Sequence, residues 1–245
     1  MKNLLILLCT LITGNLLSQD YAMFETHSLT AKAGHIMALE EEIAEHNAKH
    51  HANGPYQNIV TTVLNGPRTG QYIFSMGPCT FTQLDDRPSG PDHARDWASV
   101  AIHAKKIGGV EFWRRNDNLT HTPVNSPSGF RNMMRVRYFE VSDNGAFIRA
   151  QSKIVEMLKA EGSTRPRTMF QRVFPHKDGR DWLYVEPYDS WSELDESSGS
   201  TFRERFEKVH GADSWEGFIQ DISSSVISRR DEWRAVRSDL MGPGE

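Results

Sequence analysis

A duplication limits what a chain can fold into more than composition does, and this sequence contains one. Residues 70–85 read GQYIFSMGPCTFTQLD, and residues 179–195 read GRDWLYVEPYDSWSELD. Gly70 matches Gly179 and Pro78 matches Pro187, both pairs 109 positions apart. Each copy then carries an aromatic residue, Phe81 or Trp191, and a Leu-Asp pair, Leu84-Asp85 or Leu194-Asp195. The apolar alternation ahead of a Pro reads as one arm of a β-hairpin, since Pro cannot donate to a ladder.

The order of elements around each copy repeats as well. Residues 21–29 read as a strand, and residues 34–51 as a helix. In that helix Ile36, Leu39 and Ile43 recur at three- and four-residue steps while Glu40, Glu41, Glu42 and Glu45 load the other face. Strands are expected at 56–64 and 71–76, a helix at 92–106 around Trp97, Ala101 and Ala104, and a short strand at 110–114. Residues 117–132, with Pro123 and Pro127 among many turn formers, read as a linker. The pattern then restarts: strand 133–141, helix 145–160, strands 168–174 and 180–186, helices 201–210 and 214–227, and a last strand at 232–237.

The expected fold class is therefore α+β, with two tandem ferredoxin-like βαββαβ units at residues 20–116 and 133–245. Each unit would leave one apolar sheet face bare. Packing sheet to sheet as a single-chain α+β barrel would bury both, at about 25 cal/mol per Å².

With its strand-turn-Gly-helix openings, HSLTAKAGHIMALEE and YFEVSDNGAFIRAQS, and its duplicated hairpin, the chain resembles the dimeric α+β barrel superfamily in tandem form. That superfamily includes NIPSNAP-like proteins, antibiotic-biosynthesis monooxygenases, stress-responsive A/B-barrel proteins and chlorite-dismutase-like haem proteins. The resemblance covers nearly the whole chain after residue 19, but it carries topology rather than an activity motif. It implies a pocket between the sheets, and no specific family's functional residues transfer.

Residues 1–19 read as a secretory signal peptide. Lys2 gives a positive start, and an apolar run over 4–17 is short for a membrane span. A lipoprotein is not expected, because Cys9 lies inside that run. The protein is thus expected to be exported, periplasmic or secreted, with no integral span after cleavage. Only Cys79 would then remain, so no internal disulfide can form and a four-Cys zinc site is excluded. A net charge of −4 gives no reason to expect nucleic acid as a partner. Asn118-Leu119-Thr120 fits a glycosylation sequon, relevant only in a eukaryotic secretory pathway.

Applying the repeat offset to strand alternation puts Ile73 and Ser75 on one face with Trp182, Tyr184 and Glu186. His27 and Tyr138 join them by the match of Gly34 to Gly145. His27, Tyr138, Trp182, Tyr184 and Glu186 are accordingly the candidate ligand-binding residues, supplying a base, hydroxyls and stacking surface. The plainer alternative is an ordinary sheet-to-sheet core. The aromatic run WLYVEPYDSW over 182–191 has the same two readings, a ligand platform or a core anchor.

Glu42, His46 and His50 lie on one helical face beside His51, but they read as a solvated surface and no metal is assigned. His176 and His210 are the candidate axial ligands if haem binds, and no cofactor is assigned. Arg135, Arg137 and Arg172 would bind an anion if turned inward, and Cys79 lacks a neighbouring His to activate it. A G-x-S-x-G elbow, a Walker loop, HExxH and a Rossmann fingerprint are absent. The leading expectation is an exported small-molecule-binding barrel, with cofactor-independent oxygenation, isomerisation or a lyase step as candidate reactions. The alternatives are a non-catalytic interaction or structural protein of the cell envelope, and a haem-binding barrel.

Overall fold

The computed structural model describes residues 21–124, 131–196 and 199–242. The expected signal peptide lies outside them. The first half contains β1 (Met23–Ala31), α1 (Ile36–His50), β2 (Asn58–Val63), β3 (Tyr72–Cys79), a short α2 (Phe81–Asp85), α3 (Pro91–His103), β4 (Ala104–Ile107) and β5 (Glu111–Arg115). The second contains β6 (Met133–Val141), α4 (Asn144–Ala160), β7 (Thr168–Arg172), β8 (Trp182–Tyr188), α5 (Phe202–His210), α6 (Ser214–Ser225) and β9 (Val226–Val236).

Hydrogen bonding orders the strands β2-β3-β1-β5 in the first half and β7-β8-β6-β9 in the second, the ferredoxin-like order twice. Two seams, β5 with β7 and β2 with β9, join these sheets edge to edge into a closed antiparallel barrel of eight strands. The expected α+β barrel is present. β4 pairs with the end of β1 beyond β5. Gly108 leaves the step between β4 and β5 close to β1: a Cβ there would press on the Ser28 Oγ and force that side chain to turn away.

Helices cover the outside. Leu39 and Ile43 of α1 and Val100 of α3 bury against Leu29, Val60 and Phe74 of the first sheet. Asp143 caps α4 by accepting from the Gly145 and Ala146 N–H groups, and Phe147 then packs with Phe139, Met169, Trp182 and Tyr184. Ala150 and Met157 of α4 meet Phe206 and Phe218 of α5 and α6 in a further layer. Among the described residues no helix is long and apolar enough to cross a membrane.

Several element boundaries differ from the sequence reading, three of them for a clear physical reason. β9 starts at Val226, although Val226 and Ile227 continue the apolar period of α6. Residues 104–107 are strand, not the end of α3, because they complete the ladder on β1. β3 runs past Pro78 to Cys79, with a shift in pairing register between Met23 and Glu25 of its partner strand. In the connector, Leu119 packs into the second half's core and His121 bridges to Arg167, while residues 125–130 lie outside the described set.

Candidate functional site

Inside the barrel is a cavity of about 670 Å³. β1 to β3 of the first half contribute the small or β-branched Thr26, Ser28, Ile59, Thr61, Ile73 and Ser75, beside the larger Phe24 of β1 and Trp113 of β5. The second half contributes larger groups, including Met134, Val136 and Tyr138 of β6, Phe170 of β7, and Leu183 and Val185 of β8. Trp113 of β5 packs with Val136, Tyr138, Phe170 and Leu183, so these fill their side of the barrel.

Of the five residues proposed from the sequence, Tyr138 and His27 are among those that line the cavity, although the His27 ring packs against Phe74 and Trp97 on the helix side. Trp182, Tyr184 and Glu186 belong to the outer face, beneath or beside the helices, which corrects that part of the expected grouping. For Trp182, Tyr184 and Glu186 the physical reason is one residue of turn length. The β2–β3 turn spans residues 64–71, whereas the β7–β8 turn spans 173–181. Matching Gly70 to Gly179 within these turns therefore carries the register one position off, and a one-residue slip exchanges the two faces of a strand. Ser28 opposes Ile73 as Tyr138 opposes Leu183, so the counterpart of Tyr138 is Ser28, not His27.

His27 and the three displaced residues each have an evident structural setting. The His27 ring stacks on Phe74 at 4.8 Å and meets the edge of Trp97 at 5.5 Å. Burial, helped by the nearby His51, pushes its pKa down to about 4. Trp182 donates from Nε1 to Asn144 Oδ1 at 2.8 Å and packs on Phe147. The Arg167 guanidinium sits 4.3 Å from the centre of the Tyr184 ring, and burial pushes the Tyr184 phenol well above its usual pKa. Glu186 accepts weakly from the Tyr188 hydroxyl at 3.4 Å and lies 3.9 Å from Arg135. The run 182–191 thus divides between core anchors and barrel wall.

The arginines sort by the same alternation. Arg135 and Arg137 sit on the outer face and donate to Asp231. Arg172 is turned inward, donating to Asp178 at 2.6 Å and pairing with Glu111 at 3.1 Å. Arg180 bridges the same two carboxylates. Burial alone would raise the Asp178 pKa, but hydrogen bonds from Arg180 and Arg172 outweigh it and hold the carboxyl below its usual range.

Tyr138 stands at the centre of the cationic part. The Arg180, Arg230 and Arg234 guanidinium carbons lie 5.7, 5.3 and 5.9 Å from its ring centre. Arg234 donates to the Tyr138 hydroxyl at 2.5 Å and to Glu232 at 2.8 Å, and Glu232 also meets Arg68 at 3.3 Å. Burial works against a charge on Arg234, but Tyr138 and Glu232 raise its pKa and keep it ionised. Arg230 has no carboxylate partner among the described residues. The Tyr138 hydroxyl accepts from Arg234, and among the described residues nothing accepts its own proton. Sequence reasoning missed Arg180, Arg230 and Arg234, although alternation along SRRDEWRAV would have grouped Arg230, Glu232 and Arg234 had the strand been drawn from 226.

Neither proposed haem ligand fits an axial role toward this cavity. His176 is exposed in the β7–β8 turn. The His210 ring packs on Phe206, with Nε2 held by the Lys153 carbonyl at 2.9 Å. Cys79 is buried, and burial pushes its thiol pKa up to about 11, the opposite of nucleophile activation.

Comparison with known proteins supplies topology. An anthrone oxidase-like protein superposes with a TM-score of 0.57 at 11% identity, over 89% of this chain and 92% of that one. A candidate monooxygenase from Lactobacillus acidophilus gives 0.52 at 13%, over 92% and 98%. A chlorite dismutase mutant from Candidatus Nitrospira defluvii gives 0.50 at 10%, over 90% and 93%. The fold is the dimeric α+β barrel, built from one chain. No family model matches the sequence, and no curated protein matches it. At these identities the likeness shows the fold alone.

Proposed function

We propose that this is an exported protein that binds a small organic anion inside the barrel. The observation that carries the reading is the cavity of about 670 Å³ around Tyr138, with Arg180, Arg230 and Arg234 beside the ring and Arg230 lacking a carboxylate partner. Apolar walls with a few convergent polar groups are what a small-molecule site requires. An open lumen also favours this reading over a purely structural envelope protein, which would have no use for the space.

The same groups suit chemistry on an oxyanion. Guanidinium and phenol donors stabilise negative charge on oxygen more strongly in a partly dry cavity than in water. An enolate or phenolate held there is the kind of species on which cofactor-independent oxygenation, isomerisation or a lyase step proceeds. The monooxygenase and oxidase names attached to structural neighbours belong to those proteins and are compatible with this class of reaction.

The test is titration of the full chain with small aromatic carboxylates and phenols, followed by calorimetry. Saturable binding at one site is expected, weakened at least about tenfold by Arg230→Ala, the loss of one charge-assisted contact. Absence of binding across the set, or affinity unchanged in both Arg230→Ala and Tyr138→Phe, overturns the reading.

A further inference from the structure

Outside the barrel, under the helices of the first half, four histidines meet. α1 brings His46 and His50 one turn apart on its buried side, His51 follows directly after the helix, and α3 brings His93 and Asp96 from 42 or more positions away. The rings of His46 and His93 are 4.8 Å apart between centres, His46 and His51 5.2 Å, and His51 and His93 5.4 Å. We infer that His46, His51 and His93 form a binding site for a divalent first-row transition ion, with zinc the reference case.

The argument rests on where the nitrogens point. One nitrogen from each of the three rings lies within 4.8 Å of the others. The closest pair, His51 Nε2 and His93 Nε2, is at 3.3 Å. Two nitrogens bound to one tetrahedral zinc at about 2.05 Å stand about 3.3 Å apart, so this edge of the site already has its length. The third nitrogen, from His46, lies within 4.8 Å of both.

Orientation is supplied from behind. His51 Nδ1 is 2.9 Å from the Tyr56 carbonyl, which can only accept, so Nδ1 carries the proton and Nε2 offers its lone pair. His46 is 3 % exposed, and its Nδ1 is buried with no hydrogen-bond partner. An unpartnered buried imidazole nitrogen is costly in a finished core. A bound cation would remove that cost. His50 is fixed by Asp96 at 2.7 Å, which itself is held by Lys49 at 2.6 Å, and this carboxylate–histidine pair borders the site. Three imidazoles leave a fourth position for water or an external ligand. Spacing within α1 alone could not show this, because the third ligand comes from α3.

Zinc chloride titrated into the metal-stripped full chain, read by calorimetry and by competition with a chromophoric chelator, decides the matter. One equivalent is expected to bind, and His93→Ala, at the more open end of the cluster, should weaken it at least about a hundredfold. His35→Ala, which removes one member of the separate exposed His35–His103 contact at 2.9 Å, should leave it unchanged. Cobalt substitution should give the visible bands of a tetrahedral ion, and zinc X-ray absorption should show nitrogen neighbours at about 2.0–2.1 Å. Failure to bind zinc, cobalt and copper, or equal affinity in the wild type and in both His93→Ala and His51→Gln, overturns the inference. Circular dichroism on each variant separates loss of a ligand from loss of fold.

Discussion

The two halves share one topology and use it for opposite purposes. On the lumen side, β1 to β3 present Thr26, Ser28, Ile59, Thr61, Ile73 and Ser75, which leave space. The matching strands of the second half present Tyr138, Phe170 and Leu183, which fill it, and β9 brings Arg230 and Arg234 toward it. Beneath the helices the halves differ again. The second half is packed with Phe139, Phe147, Trp182 and Tyr184, while the first holds His27, His46, His51 and His93 near Phe74 and Trp97. A duplicated backbone therefore fixes which positions face in and which face out, but not what each face does. One half supplies the wall and the other supplies the room.

The sharpest way to break this contrast is to empty the second half's outer core. Trp182 is 1 % exposed and held by both Phe147 and Asn144. Trp182→Ala should cost about 3–5 kcal/mol in urea denaturation, enough to unfold a chain of ordinary stability. A loss below about 1 kcal/mol would mean that this half is not the anchor.

Next in size is Arg234→Met. It leaves Glu232 buried with only Arg68 at 3.3 Å, and should cost about 3 kcal/mol in the same assay, near the lower end for breaking a buried pair. If stability is unchanged, the inner charge network has no structural role and serves ligand binding alone.

Acid tests the first half's outer layer. The His27 pKa is lowered to about 4 in the folded chain, so between pH 6.5 and 4 the unfolded chain binds the extra proton first. Stability from this neutral ring is complete above pH 6.5 and is lost as pH falls toward 4, by up to about 3 kcal/mol. His27→Leu should flatten part of that slope in melts recorded from pH 7 to pH 4. An unchanged slope would place the acid sensitivity elsewhere.

The smallest change in stability and the clearest change in function belong to Ser75→Leu. It fills lumen space in the half proposed to provide it, so denaturation should shift by no more than about 1 kcal/mol while ligand binding disappears. Intact binding would move the ligand out of the barrel.

Most of the fold was legible because its signals are local. Three- and four-residue apolar steps such as Ile36, Leu39 and Ile43 mark α1, and the run 133–141 marks β6 to the residue. The start of β9 was hidden because Val226 and Ile227 also satisfy a helical period, and only pairing with β6 decides between the two. The site was less legible for a different reason. Strand faces alternate every residue, so one additional residue in the 173–181 turn reversed the expected placement of Trp182, Tyr184 and Glu186, while Tyr138 still faces inward. The meeting of His93 with His46 and His51 depends on how α3 lies against α1, and no spacing along the chain encodes that.

Closure of the eight strands also bears on how this molecule behaves in a crowd. A closed ring offers a foreign strand few places to dock: among the described residues these are the part of β9 that β2 does not reach and the free flank of β4 beside β1. That flank is four residues long and displays Lys105 and Lys106. A second copy approaching it would bring lysine against lysine, so the molecule resists growing into a continuous sheet at that border.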